Sequence, residues 1–283
     1  TVFCNEYKEY SIYESDRYGF NNPDEEWEKK NIKYLLIGDS FTHGACVNRP
    51  NDISSILRNL SNKNVLNLGF GDNGPLIEYA TLREYLLPNV KKILWIYFEG
   101  NDLLELKDKL TNKILTKYLS DPIFTQDLKN KQDRINTMTE KLIKEEINKR
   151  VKVTQKNPAK ARLIKILKIY YTRTLFASQQ EPPLVPEFKK IVELANNLAL
   201  ENNSKLYFIY LPDYNRYKNN FKFNNYFKIK AIINDLNIPF IDIDREVFKK
   251  EKNPLELFPF EQNGHYTVEG YRKVTEKIFE LTK

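Results

Sequence analysis

Apolar residues fall into short solid runs separated by longer amphipathic stretches. Residues 34–37, 64–68, 92–98, 205–211 and 239–243 have the length and the aliphatic and aromatic content of buried strands. Between them the apolar positions take helical spacing. Ile53, Ile56, Leu57 and Leu60 mark a helix over 52–60, Pro75 opens another over 76–87, and further helices are expected at 187–201, 226–236 and 268–281. Strands alternating with helices predict a parallel sheet covered on both faces, here a three-layer α/β/α sandwich with a flavodoxin-like five-stranded sheet. The alternation stops over 107–184, a lysine-rich stretch broken at Pro122, Pro158 and Pro182-Pro183 that reads as a helical insertion. The main domain is therefore expected over 32–106 and 185–283. Residues 1–31, polar and aromatic, read as an extended arm with a turn at 18–24, where Asn21, Asn22, Pro23 and Asp24 supply the turn chemistry.

Composition narrows the classes. Hydrophobic residues at 41 % and charged residues at 29 % are an ordinary soluble balance, and no apolar stretch approaches the roughly 18–20 residues that span a bilayer. The chain opens on Thr1, from which an earlier segment, removed by processing or by design, is expected. That segment would decide between a periplasmic or membrane-anchored location and a cytoplasmic one. Cys4 and Cys46 make no disulfide framework and are expected as free, buried thiols. With only His43 and His265 in the chain, a multi-histidine metal site is excluded, and neither a metal nor a cofactor is expected. The net charge of +7 is local: 127–173 holds 14 lysines and arginines against 5 acids, and the rest of the chain is slightly acidic.

The chemistry gathers at strand ends. The first strand stops at Gly38, and Asp39 and Ser40 follow at a strand-to-helix turn, which lifts the serine hydroxyl above the sheet edge. Backbone N–H groups left unpaired at such a turn suit a developing oxyanion. Asp39 or Ser40 capping the helix is the plainer reading. The second strand runs into GFGDNGP (69–75) and the third into EGND (99–102). In an open parallel sheet these carboxyl ends line one crevice, where ligands bind. His265, in a loop before the last helix, is placed to take the Ser40 proton as general base. Asn101 could instead be a helix N-cap. His43 reads as structural or pocket-lining, and Asp213, Arg216 and Tyr217 line the cleft or form a solvated loop.

GDS after the first strand, a glycine after the second, Glu99–Asp102 standing for G-x-N-D, and a C-terminal histidine resemble the SGNH (GDSL-type) hydrolases, in order and on the expected elements. The resemblance implies Ser40 as nucleophile and His265 as base. It also implies oxyanion donors at Ser40, at Gly71 or Asp72, and at Asn101, with ester hydrolysis or acyl transfer and no metal. Two departures matter. Aligning the second block on Asn67 puts Asp72, with Gly71 beside it, where the family commonly carries a glycine, and a main-chain N–H serves from either. The family usually carries an aspartate three residues before the histidine, where this chain has Gln262, which cannot supply the negative charge that stabilises an imidazolium. Glu261, Asp242 and Asp244 are the candidate substitutes, with a Ser–His dyad on a backbone carbonyl as the alternative.

The expected activity is a serine esterase or O-acyltransferase acting on a small acyl ester, an O-acetyl group of a cell-surface polysaccharide first of all. A lipid esterase is the second enzymatic reading, and a glycan-binding module weakened by Gln262 is the third. Residues 159–176 place Leu163, Ile164, Leu167, Tyr170, Tyr171 and Leu175 on one helical face. That face packs on the domain, or serves as a lid or a contact with an anionic membrane or polysaccharide. Nothing resembles a nucleic-acid-reading motif.

Overall fold

The apolar runs become strands because both of their faces are covered. A computed structural model describes residues 2–6, 10–156 and 181–283 of the chain. The chain forms two units, Thr1–Thr125 with Glu181–Lys283, and Gln126–Gln180. In the first unit the arm makes a small antiparallel pair, β1 (Val2–Cys4) with β2 (Ser11–Ile12). One all-parallel sheet follows, built from β3 (Ile32–Gly38), β4 (Asn64–Asn67), β5 (Lys92–Phe98), β6 (Lys205–Leu211) and β7 (Phe240–Asp242). The order β4-β3-β5-β6-β7 is the flavodoxin-like 2-1-3-4-5 arrangement. It puts the ends of β3, β4 and β5 side by side.

Alternate residues of each strand face opposite layers. Tyr34 and Leu36 of β3 and Leu94 and Ile96 of β5 join Ile53 and Leu57 of α2 (Ile53–Ser61) and Tyr271, Val274 and Ile278 of the C-terminal helix Val268–Thr282. On the other face Trp95, Tyr97 and Phe208 lie with α3 (Pro75–Tyr85) and with Phe188 of helix Pro186–Glu201. Ile93 through Ile96 are wholly buried. Each such side chain contributes roughly 1.5–3 kcal/mol by leaving water, and this drives the two covering layers onto the sheet. The three-layer α/β/α sandwich is the architecture of the first unit. Of the second unit, Gln132–Lys156 is one helix with Met138, Leu142, Ile143 and Ile147 exposed. Residues 159–176 lie outside the described residues. No helix among the described residues is long and apolar enough to cross a membrane.

The arm is bound more deeply than an extended strap. Phe20 is buried, with its ring against Tyr85 of α3. Asn22, 1 % exposed, donates to Asp16 Oδ2 and to the Asn67 carbonyl at 2.8 Å each, and its own Oδ1 accepts from Asn67 N and from Arg58 Nη2, also at 2.8 Å. Trp27 Nε1 donates to the same Asp16 carboxylate at 2.7 Å. These bonds pin the turn at 18–24 to the end of β4.

The expectation of free thiols is corrected. Cys4 and Cys46 form a disulfide, with Cα atoms 4.8 Å apart and 42 residues of separation. The arm folds back so that β1 lies beside the loop after Ser40, an approach that periodicity could not register. Closing a loop of that length stabilises by about 4 kcal/mol in the chain-entropy account.

Asn22→Ala strips four hydrogen bonds from a buried junction and leaves Asn67 N–H without its acceptor. The expected loss is on the order of 3 kcal/mol, read by denaturant unfolding, and a change within a few tenths would show that the arm is not pinned there.

Candidate active site

The turn after β3 is set by a close approach. Gly38 has φ +152°, and a Cβ there would lie 2.4 Å from the Ile96 carbonyl oxygen of the neighbouring strand. Only glycine lets β3 end so near β5. Asp39 then caps the short helix α1 (Ser40–His43) by accepting from Phe41 N at 2.9 Å, and Gly44 closes it in the left-handed region. Ser40 is partly exposed while its neighbours Asp39 and Phe41 are buried.

His265 is carried by the loop before the last helix, whose first turn is capped by Thr267 accepting from Gly270 N at 3.0 Å. Its ring packs 4.7 Å from that of Phe41, and Nε2 lies 2.9 Å from Ser40 Oγ. On the distal side, Nδ1 lies 2.9 Å from Glu6 Oε1, and the His265 backbone N–H donates to Glu6 Oε2 at 2.7 Å. One carboxylate thus holds both the ring and its backbone. Gly264 makes room for it, since a Cβ there would sit 2.6 Å from Glu6 Oε2. Cys46 Sγ lies 3.2 Å from the same Nδ1, so the disulfide flanks the pair.

The acidic partner is therefore Glu6 of the arm, and Gln262 and the three candidate substitutes are elsewhere. Asp242 accepts from Tyr226 Oη and Arg245 N, and Asp244 is engaged by Tyr217 Oη at 2.8 Å and Lys249 Nζ at 2.7 Å. Glu261 accepts from Asn253 Nδ2 at 3.0 Å, and Gln262 is exposed, its N–H donating to the Pro259 carbonyl. The local reason is the 3₁₀ turn Pro259–Glu261, with Phe260 and Glu261 at positive φ, which turns this stretch away. A signal for Glu6 did exist. Pairing Cys4 with Cys46 brings an acid two residues past one cysteine next to a serine six residues before the other.

The other predicted positions sort as follows. Gly71 and Asp72 form the turn after β4, Asp72 at φ +60°, and Asn101 follows β5. Asn101 occupies the N-cap position of α4 (Asp102–Lys109), yet its side chain makes no capping bond, and its buried Oδ1 has no partner among the described residues. His43 is buried, 4.9 Å from the Tyr13 ring and stacked on Phe70 at 5.2 Å, and burial lowers its pKa to about 4. It is a neutral packing residue at pH 7. Arg216 pairs with Glu99, whose carboxyl burial pushes up to about 7 against the opposing effect of that guanidinium, and Asp213 accepts from Asn215 N at 2.8 Å. These residues stiffen the loop after β6.

Beneath the serine lie three buried acids that sequence reasoning did not group. Burial raises Asp39 to about 6, against the hydrogen bond from Phe41 N. Glu78 and Asp102 are raised well above the ordinary carboxylate range, by burial first and then by the negative charges of their neighbours in the same group. Glu78 accepts from Trp95 Nε1 at 2.6 Å and Asp102 from Phe98 N at 2.9 Å. Glu78 Oε1 and Asp102 Oδ1 have no hydrogen-bond partner among the described residues. Kept protonated, Glu78 and Asp102 tie α3 and the start of α4 to β5 without adding negative charge beside Asp39.

A raised carboxyl pKa gives a definite sign. Unfolded, Asp39 loses its proton near its ordinary 3.8; folded, it keeps it until about 6. Stability is therefore greatest below pH 4 on this account, declines through that window, and is flat beyond it, by about 3 kcal/mol for Asp39. Asp39→Asn, which keeps the acceptor for Phe41 N–H, is expected to flatten that part of the melting-temperature profile. An equally steep profile in the variant would assign the slope to other groups.

No protein-family model matches the chain, and no curated protein does. A solved structure described as "a putative lipolytic protein of G-D-S-L family from Desulfitobacterium hafniense DCB-2" matches with a TM-score of 0.49 at 16 % identity, over 89 % of this chain and 99 % of that one.

Proposed function

We propose that the chain is a serine esterase or O-acyltransferase of the SGNH type, with Ser40 as nucleophile, His265 as general base and Glu6 as the acid that orients it. The observation that carries the reading is the unbroken run from Glu6 Oε1 to His265 Nδ1 to Ser40 Oγ, each contact 2.9 Å. Glu6, as the acceptor, fixes the proton on Nδ1 and leaves Nε2 to accept from the Ser40 hydroxyl. As Ser40 Oγ attacks the acyl carbonyl, its proton passes to Nε2, and the imidazolium so formed is stabilised by the Glu6 charge.

The tetrahedral oxyanion would be held by the Ser40 N–H, a main-chain N–H from Gly71 or Asp72, and the Asn101 side-chain amide, which capping does not occupy. Collapse of the intermediate expels the alcohol, protonated by His265. The acyl-enzyme is then resolved by water or by an acceptor hydroxyl with the same histidine as base. An O-acetyl group on a carbohydrate is the proposed ester, on the resemblance of the four sequence blocks. A carboxylate on the distal histidine nitrogen supports catalysis over a binding module, because the feature that motivated the module was the lack of one at Gln262.

Incubation with p-nitrophenyl acetate is expected to give a burst of p-nitrophenol and a mass gain of one acetyl group. Both should disappear in Ser40→Ala, with turnover down about 10³-fold or more. A wild-type protein with neither turnover nor adduct would overturn the esterase reading.

Glu6→Gln keeps the shape of the arm but removes the charge, and is expected to lower kcat by about 10- to 10³-fold with little change in KM. Gln262→Ala and Glu261→Ala should stay near wild type. If Glu261→Ala were the damaging change, the acid would have been assigned to the wrong loop.

A further inference from the structure

The distal side of His265 holds more than a triad requires. Cys4 Sγ, Glu6 carboxylate oxygen, Cys46 Sγ and His265 Nδ1 all lie within 4.8 Å of one another. Cys46 Sγ and Glu6 Oε1 stand 3.2 and 2.9 Å from Nδ1. In a tetrahedral zinc centre, bonds of about 2.0–2.3 Å put neighbouring ligand atoms roughly 3.3–3.8 Å apart, a spacing that Cys46 Sγ, Glu6 Oε1 and Nδ1 already approach and that the two sulfurs, bonded to each other now, can take only once the disulfide is open. While the disulfide is closed neither sulfur is a thiolate, and the set lacks its two strongest ligands. Opened, it offers two thiolates, an imidazole nitrogen and a carboxylate, a donor set that selects a thiophilic ion and rejects the oxygen-seeking Mg²⁺ and Ca²⁺.

We propose that Cys4, Glu6, Cys46 and His265 form a Zn²⁺ site when the Cys4–Cys46 disulfide is reduced, and that its occupancy switches the Ser40–His265 relay off. The reduction is a thiol–disulfide exchange. A dithiol gives up two electrons and two protons and closes its own disulfide, the Cys4–Cys46 bond breaks, and two thiols result. Zn²⁺ then displaces those two protons, binding both sulfurs together with Nδ1 and the Glu6 carboxylate.

The fold supports this site from both sides. Cys46 is buried just after α1, where the Ala45 carbonyl accepts from Tyr271 Oη at 3.0 Å, and His265 is fixed by its backbone bond to Glu6. Cys4 is in register with Ser11 in the arm's own strand pair. The consequence for catalysis follows from the imidazole. A neutral ring ligated through Nδ1 carries its proton on Nε2, the nitrogen that faces Ser40, and a protonated Nε2 cannot accept from the hydroxyl.

The inhibition rests on the proposed esterase reading; the metal binding does not. The full chain is reduced with dithiothreitol, desalted anaerobically and titrated with Co²⁺, with circular dichroism to show that it stays folded. One equivalent is expected to raise a thiolate-to-cobalt charge-transfer band with tetrahedral ligand-field bands, all discharged by Zn²⁺. Oxidised protein should show neither, and Ser40→Ala should bind like wild type. In the reduced wild type, p-nitrophenyl acetate turnover should fall with Zn²⁺ occupancy and return when a chelator removes the metal. Absence of the charge-transfer band from folded reduced protein, or an equal band in Cys4→Ser/Cys46→Ser, overturns the site. Full occupancy with undiminished turnover overturns the switch. A protein that binds cobalt but hydrolyses no ester in any state defeats the esterase reading and leaves the metal site standing.

Discussion

The serine edge of this fold depends on how closely the end of β3 can approach β5. At Gly38 the separation is too small for any side chain, because a Cβ would meet the Ile96 carbonyl and the Thr42 hydroxyl together. With that contact in place the chain must turn at once, Asp39 caps the next four residues, and Ser40 emerges at the rim. The Phe41 ring then fills the space below, in contact with Phe98, His265 and Tyr266. A glycine, a cap and one aromatic ring thus bring together a strand end and a loop 225 residues apart.

The arm has the opposite character. It contributes little to the sheet, yet it supplies the carboxylate that faces His265 and is attached twice, by the disulfide near its start and by the Asn22 junction further on. The two attachments use different physics. Asn22 works only while every partner of its amide is present, since a buried polar group left unpaired costs more than the bond contributes. The disulfide is indifferent to solvation but sensitive to redox conditions. Glu6 lies next to the redox-sensitive attachment, both flanking His265 Nδ1. The buried acids under Ser40 add a third kind of constraint: Asp39 holds the Phe41 N–H of the turn, and Asp102 holds the Phe98 N–H at the end of β5 while keeping its proton.

What the sequence by itself determined was the layered sheet and the strand ends at which its polar motifs gather. Runs such as 92–98 and 205–211 are apolar at every position because both faces are covered, and local composition records that. Strand-end motifs are equally local: GDS, EGND and the histidine before the last helix each sit where one turn ends and another begins. The acid at Glu6, the pairing of Cys4 with Cys46 and the grouping of Asp39, Glu78 and Asp102 were decided only by tertiary structure. Each joins residues whose neighbours in sequence do not by themselves record the contact, and the one lead to Glu6, the pairing of Cys4 with Cys46, is itself a tertiary contact. A carboxylate near a histidine is visible in sequence when one loop carries both. Here the backbone at 259–262 turns its acid aside, and the partner arrives from the other end of the chain, 259 residues away. Periodicity reports which face of an element is buried, but not which distant segment will cover it.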